Sequence, residues 1–134
     1  MKKMILIVKS TYYEDISNEL YENAIKHIRN QSYDTYSVPG VFEIPALISK
    51  KIKDYEGVIA LGCVIKGETP HFDFISKATI DGIMKLSIEH QKPIGNGIIT
   101  CLNKKQALIR SKTKGQEAAK AVLSVLKSFE NPPE

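Results

Sequence analysis

The sequence predicts an α/β fold, a three-layer α/β/α sandwich on one four-stranded parallel sheet. Strand-like and helix-like segments alternate four times along the 134 residues, with no linker, repeat or low-complexity block between them. Right-handed crossovers turn such alternation into a parallel sheet with helices on both faces. The first segment, residues 4–8, is a continuous apolar run suited to a strand buried on both sides. A chain of this length is expected to make one domain, residues 1–134, with a real core.

Each element has its own signal. Tyr12 and Tyr13 follow the first strand, and from Glu14 to about Gln31 the pattern turns helical. Ile16, Leu20, Ala24 and Ile28 recur every four residues on one side, while Glu19, Glu22, Lys26 and Arg29 fall elsewhere. Tyr33–Val38 is a short strand halted by Pro39 and Gly40. Residues 44–53 read as a helix, with Pro45 in the first turn where a missing N–H costs nothing, and residues 55–57 end it. Residues 58–65 make the third strand. Thr69 or Pro70 opens a long helix to about His90, and Ile94–Cys101 is the fourth strand. Helices over residues 104–111 and 115–129 close the chain, the second with Ala118, Val122, Val125, Leu126 and Phe129 on one face. Residues 130–134 read as a frayed tail.

Composition narrows the function classes. Hydrophobic residues are 43% and charged residues 25%, as in soluble globular domains. The longest apolar run falls far short of the roughly 20 residues of a membrane span. The start MKKMILIVK superficially resembles a secretory leader, but no small-residue cleavage site follows, and it reads better as a strand. Cys63 and Cys101 lack metal-type spacing, so reduced thiols in the cytoplasm are expected, with no metal. A net charge of +4 permits phosphate or nucleic-acid binding. Apart from Lys104, Lys105, Arg110, Lys112 and Lys114 the cations are scattered, without interleaved aromatics, so no nucleic acid is expected.

In a parallel sheet, ligands bind beyond the carboxyl ends of the strands, which directs attention to the loops that follow them. In Thr69-Pro70-His71, Thr suits an N-cap and Pro the first helical position, and the helix start offers free N–H groups to an anion. His71 beside it could carry a proton, its neutral form favoured by the positive helix end. On this local sequence alone, a capped helix with an exposed histidine is the favoured reading. Gly40 allows close approach to a ligand, and Glu43 could accept from hydroxyls or complement a helix start. Tyr12 could stack on a planar ring or cover the sheet edge, and Arg110 could bind an anion or be a surface cation. His27 and His90 read as surface residues. No GxxxxGK[ST], GxGxxG or GxSxG element is present, which removes support for nucleotide and serine-hydrolase chemistry.

VPGVFEIP (residues 38–45), LGCVIKGETPHFDF (residues 61–74) and GIITCLNKKQALIR (residues 97–110) together resemble, in order and spacing, motifs of the lumazine synthase family. The likeness extends over nearly the whole chain. It implies a flavodoxin-like fold and a cofactor-free condensation of 5-amino-6-(D-ribitylamino)uracil with 3,4-dihydroxy-2-butanone 4-phosphate in riboflavin biosynthesis. By position, the resemblance makes His71 the general acid/base and Tyr12 the aromatic that stacks on the pyrimidine. Val41, Phe42 and Glu43 match the segment holding the ribityl chain, and Cys63, Val64 and Ile65 the strand end lining the ring. Asn96 matches a position contributed across a subunit interface. Glu68, Thr69 and Arg110 match the phosphate site, with Lys112 or Lys114 further candidates and the Glu68 side chain expected to turn toward Lys66. The family segment after Arg110 differs here in length and composition, and with strand one beginning at Met4 the longer N-terminal arm of many relatives is not expected.

Assembly has its own clue. On the helix after His71, Phe72, Ile75, Thr79, Ile83 and Leu86 form one face, while Ile80, Met84 and Ile88 line another. The resemblance implies a homo-oligomer covering that second face, a pentamer or a 60-subunit shell of pentamers, and riboflavin synthase as a partner. Two other readings of the fold are a non-catalytic flavin- or lumazine-binding module and a flavodoxin-type electron carrier. A proton carrier beside an anion site disfavours the first, and the lack of a Ser/Thr-rich loop after strand one disfavours the second.

Overall fold

The computed structural model describes residues 3–133. Its elements are β1 (Lys3–Ser10), α1 (Glu14–Ile25), β2 (Tyr33–Val38), α2 (Ile44–Lys51), β3 (Tyr55–Ile65), α3 (His71–His90), β4 (Ile94–Cys101), α4 (Lys104–Arg110) and α5 (Lys114–Glu130). The four strands form one parallel sheet in the order β2-β1-β3-β4. Strand order therefore reverses at β1, and the crevice for a ligand opens above the carboxyl ends of β1 and β3.

Period-two alternation divides the core into two layers. Ile5 and Ile7 of β1 with Ile59, Leu61 and Cys63 of β3 pack under Ile16, Leu20 and Ala24 of α1 and Ala118, Ala119 and Val122 of α5. Leu6 and Val8 with Val58 and Ala60 face Ile44 and Ile48 of α2 and Ile83 of α3 on the other side. Ile5, Leu6, Ile7 and Val8 are all fully buried, so each contributes about 1.5–3 kcal/mol. Helices α1 and α5 touch so closely that a Cβ at Gly115 would strike the Leu20 carbonyl oxygen.

The three-layer fold, the strand count and the parallel pairing agree with the sequence expectation, and the differences lie at boundaries. The first helix ends at Ile25 rather than near Gln31. There His27, Ile28 and Gln31 donate to carbonyls three residues back, tightening the chain while keeping Ile28 buried. The second helix ends at Lys51 and passes through a 3₁₀ turn, Ile52–Asp54. Strand β3 begins at Tyr55, three residues early, because Tyr55 pairs with Lys3 and its hydroxyl donates to Asp34 at 2.6 Å. On α5 the inward face is Gly115, Ala118, Ala119 and Val122, whereas Val125 and Phe129 are exposed. His27 and His90 are half-buried. Helix α5 extends through Glu130, residues 131–133 are irregular, and Glu134, the end of the expected tail, lies outside the described residues.

Candidate active site

A cleft of about 450 Å³ opens where the topology places it. Strand β3 contributes its end, Cys63, Val64 and Ile65, and the segment after β1 contributes Tyr12 and Tyr13. The loop after β2 supplies Gly40, Val41, Phe42 and Glu43, and the first turn of α3 adds His71 and Ile75. Nine of the residues singled out in the sequence, Gly40 among them, thus meet in one place.

Local chemistry shapes this arrangement. Residues Val41–Glu43 form a 3₁₀ turn, and the Gly40 N–H donates to Glu43 Oε1 at 2.9 Å, so the carboxylate ties its own loop. Val41 is buried beneath that turn against Gly62, where an added Cβ would lie 2.6 Å from both Val41 Cγ1 and Ser10 Oγ. Only glycine lets the loop settle this close to β3. The hydroxyl of Ser10, fully buried at the end of β1, has no hydrogen-bond partner among the described residues.

Helix α3 starts at His71, one residue past the boundary expected from Pro70 at the first helical position. Pro70 therefore takes the N-cap position expected of Thr69 and supplies no side-chain acceptor, while Thr69 Oγ1, one residue earlier, accepts from the His71 N–H at a long 3.4 Å. The imidazole is exposed at the cleft, and Ile75 lies one turn along the same face. Tyr12 is 74% exposed and meets Tyr13 edge to face, with ring centroids 4.9 Å apart and an interplanar angle of 85°. Lys104 lies 5.7 Å from the Tyr13 ring centroid and pairs with Asp15 at 3.1 Å, an interaction that lowers the Asp15 pKa. Burial raises the Tyr13 phenol, with Tyr12 and Cys63 adding to it. Burial pushes the Cys63 thiol up to about 12, reinforced by Cys101, so at neutral pH it is an apolar wall and not a nucleophile.

The remaining candidates lie outside the cleft lining. Glu68 and Thr69 occupy the exposed loop before α3, and no ion pair joins Glu68 to Lys66 among the described residues. Arg110 donates to the Thr100 carbonyl at 3.0 Å, with Cys101 Sγ at 3.7 Å, which holds its guanidinium at the end of β4. Asn96, exposed in β4, accepts from the Ile98 N–H at 3.0 Å. A larger groove of about 640 Å³ lies at the opposite end of the sheet between α3 and α5, around Ile88, Pro93 and Phe129. It contains no carboxylate or imidazole, whereas the smaller cleft holds both Glu43 and His71.

Residues 2–130 match the family described as 6,7-dimethyl-8-ribityllumazine synthase. The chain belongs to that family. Among curated lumazine synthases, that of Bartonella bacilliformis is 42% identical over 91% of this chain and 87% of its own length. The 6,7-dimethyl-8-ribityllumazine synthase 1 of Rhodopseudomonas palustris is 39% identical, covering 92% and 83%, and the enzyme of Agrobacterium fabrum is 38% identical, covering 93% of each. Among solved structures, "Split gene transketolase, inactive beta4 tetramer" is similar with a TM-score of 0.55 at 11% identity, over 95% of this chain and 40% of that one. That last likeness concerns the fold alone.

Two residues of the cleft, Tyr13 and Ile75, are not among the sequence-based candidates. The periodicity of α3 places Ile75 on the core face, and its spacing of four from His71 also brings it to the cleft. Tyr13 was noted only as following the first strand, and no periodicity distinguishes it from Tyr12.

Proposed function

We propose that this enzyme condenses 5-amino-6-(D-ribitylamino)uracil with 3,4-dihydroxy-2-butanone 4-phosphate, giving 6,7-dimethyl-8-ribityllumazine, phosphate and water, the penultimate step of riboflavin biosynthesis. The observation that carries this reading is one cleft gathering an imidazole, a carboxylate and an exposed aromatic ring in a chain of this family. Its volume, about 450 Å³, lies in the range of small-molecule sites.

The 5-amino nitrogen attacks the ketone carbon and water leaves. Phosphate departs with the C–O electron pair as the neighbouring carbon loses a proton, and the ribitylamino nitrogen closes the ring with loss of a second water. Every step moves a proton, and His71 is the imidazole positioned to carry it. Tyr12 stacks on the pyrimidine, with Cys63, Val64 and Ile65 against the ring edge. Val41 and Phe42 flank the ribityl chain. The Gly40 N–H uses one acceptor site of Glu43 Oε1, which leaves the carboxylate free lone pairs to accept from a ribityl hydroxyl. The phosphate is held by backbone N–H groups at Glu68 and Thr69 and by Arg110, while no cofactor takes part.

The exposure of Tyr12 and His71 supports a site closed by a second copy of the chain. In a ring of five, Asn96 is contributed by the neighbour, and the single domain of residues 1–134 is the repeating unit. The protein acts in the cytoplasm and hands its product to riboflavin synthase. Inorganic phosphate and the lumazine should appear in a 1:1 ratio when both substrates are mixed with the enzyme. Lumazine formed without phosphate release would contradict the proposal.

A further inference from the structure

A stacking ring that is 74% exposed has rotamers to lose when a ligand binds, unless something already restrains it. Tyr13 supplies that restraint. Its half-buried ring stands at 85° to that of Tyr12 at 4.9 Å, the edge-to-face geometry aromatic pairs favour. Tyr13 is itself gripped from another element, since Lys104 at the start of α4 lies over its ring and is anchored by Asp15 in the first turn of α1. We infer that Tyr13 is a positioning residue, holding Tyr12 in the orientation in which it stacks on a planar heterocycle. The inference rests on the stacking role proposed above for Tyr12. It adds that α4 determines the geometry of the cleft without lining it.

The chain has no tryptophan, so Tyr12→Trp places a single indole reporter at the stacking position. Time-resolved anisotropy then reads the ring's motion on the picosecond to nanosecond scale, without any ligand. Adding Tyr13→Leu should raise the amplitude of the fast depolarisation about twofold, and Tyr13→Phe, which keeps the ring, should leave it unchanged. Lys104→Gln is a surface change that leaves the core untouched and should raise the amplitude by a smaller amount. Equal amplitudes with Tyr13 and with Tyr13→Leu overturn the inference, and so does an unchanged amplitude with Lys104→Gln.

In the Tyr12 protein, Tyr13→Leu should raise KM for the ribitylaminouracil about three- to tenfold with kcat within about twofold, and Tyr13→Phe should restore it. A fall in kcat at unchanged KM would likewise overturn the positioning role. If the unmutated protein gave no turnover, the proposed reaction would fall while the anisotropy comparison still decided the role of Tyr13.

Discussion

Glu43 shows how one side chain can serve both the fold and the ligand. Its bond to Gly40 holds the loop that presents Val41 and Phe42, so truncation removes more than a contact to substrate. Glu43→Ala should raise KM for the ribitylaminouracil about tenfold and lower stability by about 0.5–1.5 kcal/mol, whereas Glu43→Gln, which retains an acceptor, should lose less of both. Steady-state kinetics and urea unfolding of the two variants check this. Cys63 makes a pH prediction. Burial raises its thiol from 9.0 to about 12 in the folded chain. The unfolded chain therefore releases this proton first as pH rises, and the stabilising contribution, whole below pH 9, is lost toward pH 12. Cys63→Ala should remove up to about 1.4 kcal/mol per pH unit of the alkaline decline in stability, measured by denaturation at stepped pH. Residue identities at the strand ends were legible because topology confines ligands there. The neighbour of each residue was not: that Glu43 would bind Gly40 and that Tyr13 would brace Tyr12 depend on loop conformations no periodicity encodes.

Among the elements, the strands were read best and the helix ends worst. Strands β2 and β4 begin and end where turn residues and apolar runs predicted. By contrast, α1 keeps its four-residue spacing through Ile28 while its hydrogen bonds tighten after Ile25, a change that leaves burial intact and is invisible to a pattern of burial. Tyr55 belongs to β3 because of its partners Lys3 and Asp34, which are distant in sequence. The join between β3 and the loop after β2 depends on Gly62. Gly62→Ala would drive a methyl into Val41 and Ser10, and overpacking of this kind costs about 1–3 kcal/mol. The displaced Val41 should also raise KM, so thermal unfolding and kinetics should worsen together. An unchanged melting temperature would show that the loop rests on β3 less tightly than described.

At the scale of the molecule, the second apolar face read from the sequence is present in part. Met84 and Ile88 are 58% and 68% exposed, while Ile80 is half-buried against the core under α3. Val125 and Phe129 of α5 extend the exposed apolar surface along the groove beside Ile88. Such a surface favours association, and light scattering should give about 75 kDa for a ring of five chains of 15.0 kDa, or a multiple of it for a shell. A mass of one chain would separate the site from any neighbour and remove Asn96 from it. The parallel sheet and its reversal at β1 were legible from alternation, but assembly was legible only as an unpartnered stripe, because a single chain does not encode its partner's position.

By the proposed function, the condensation takes place in the cleft beside His71. The most direct measurement is the appearance of the lumazine chromophore when purified protein is mixed with both substrates, compared with the spontaneous reaction and with His71→Ala. Turnover well above the spontaneous rate is expected, with kcat lowered roughly 10- to 1000-fold, though not abolished, in the variant, because positioning persists when the proton carrier is lost. Formation of the chromophore no faster than in buffer, or a kcat unchanged by His71→Ala, would contradict it.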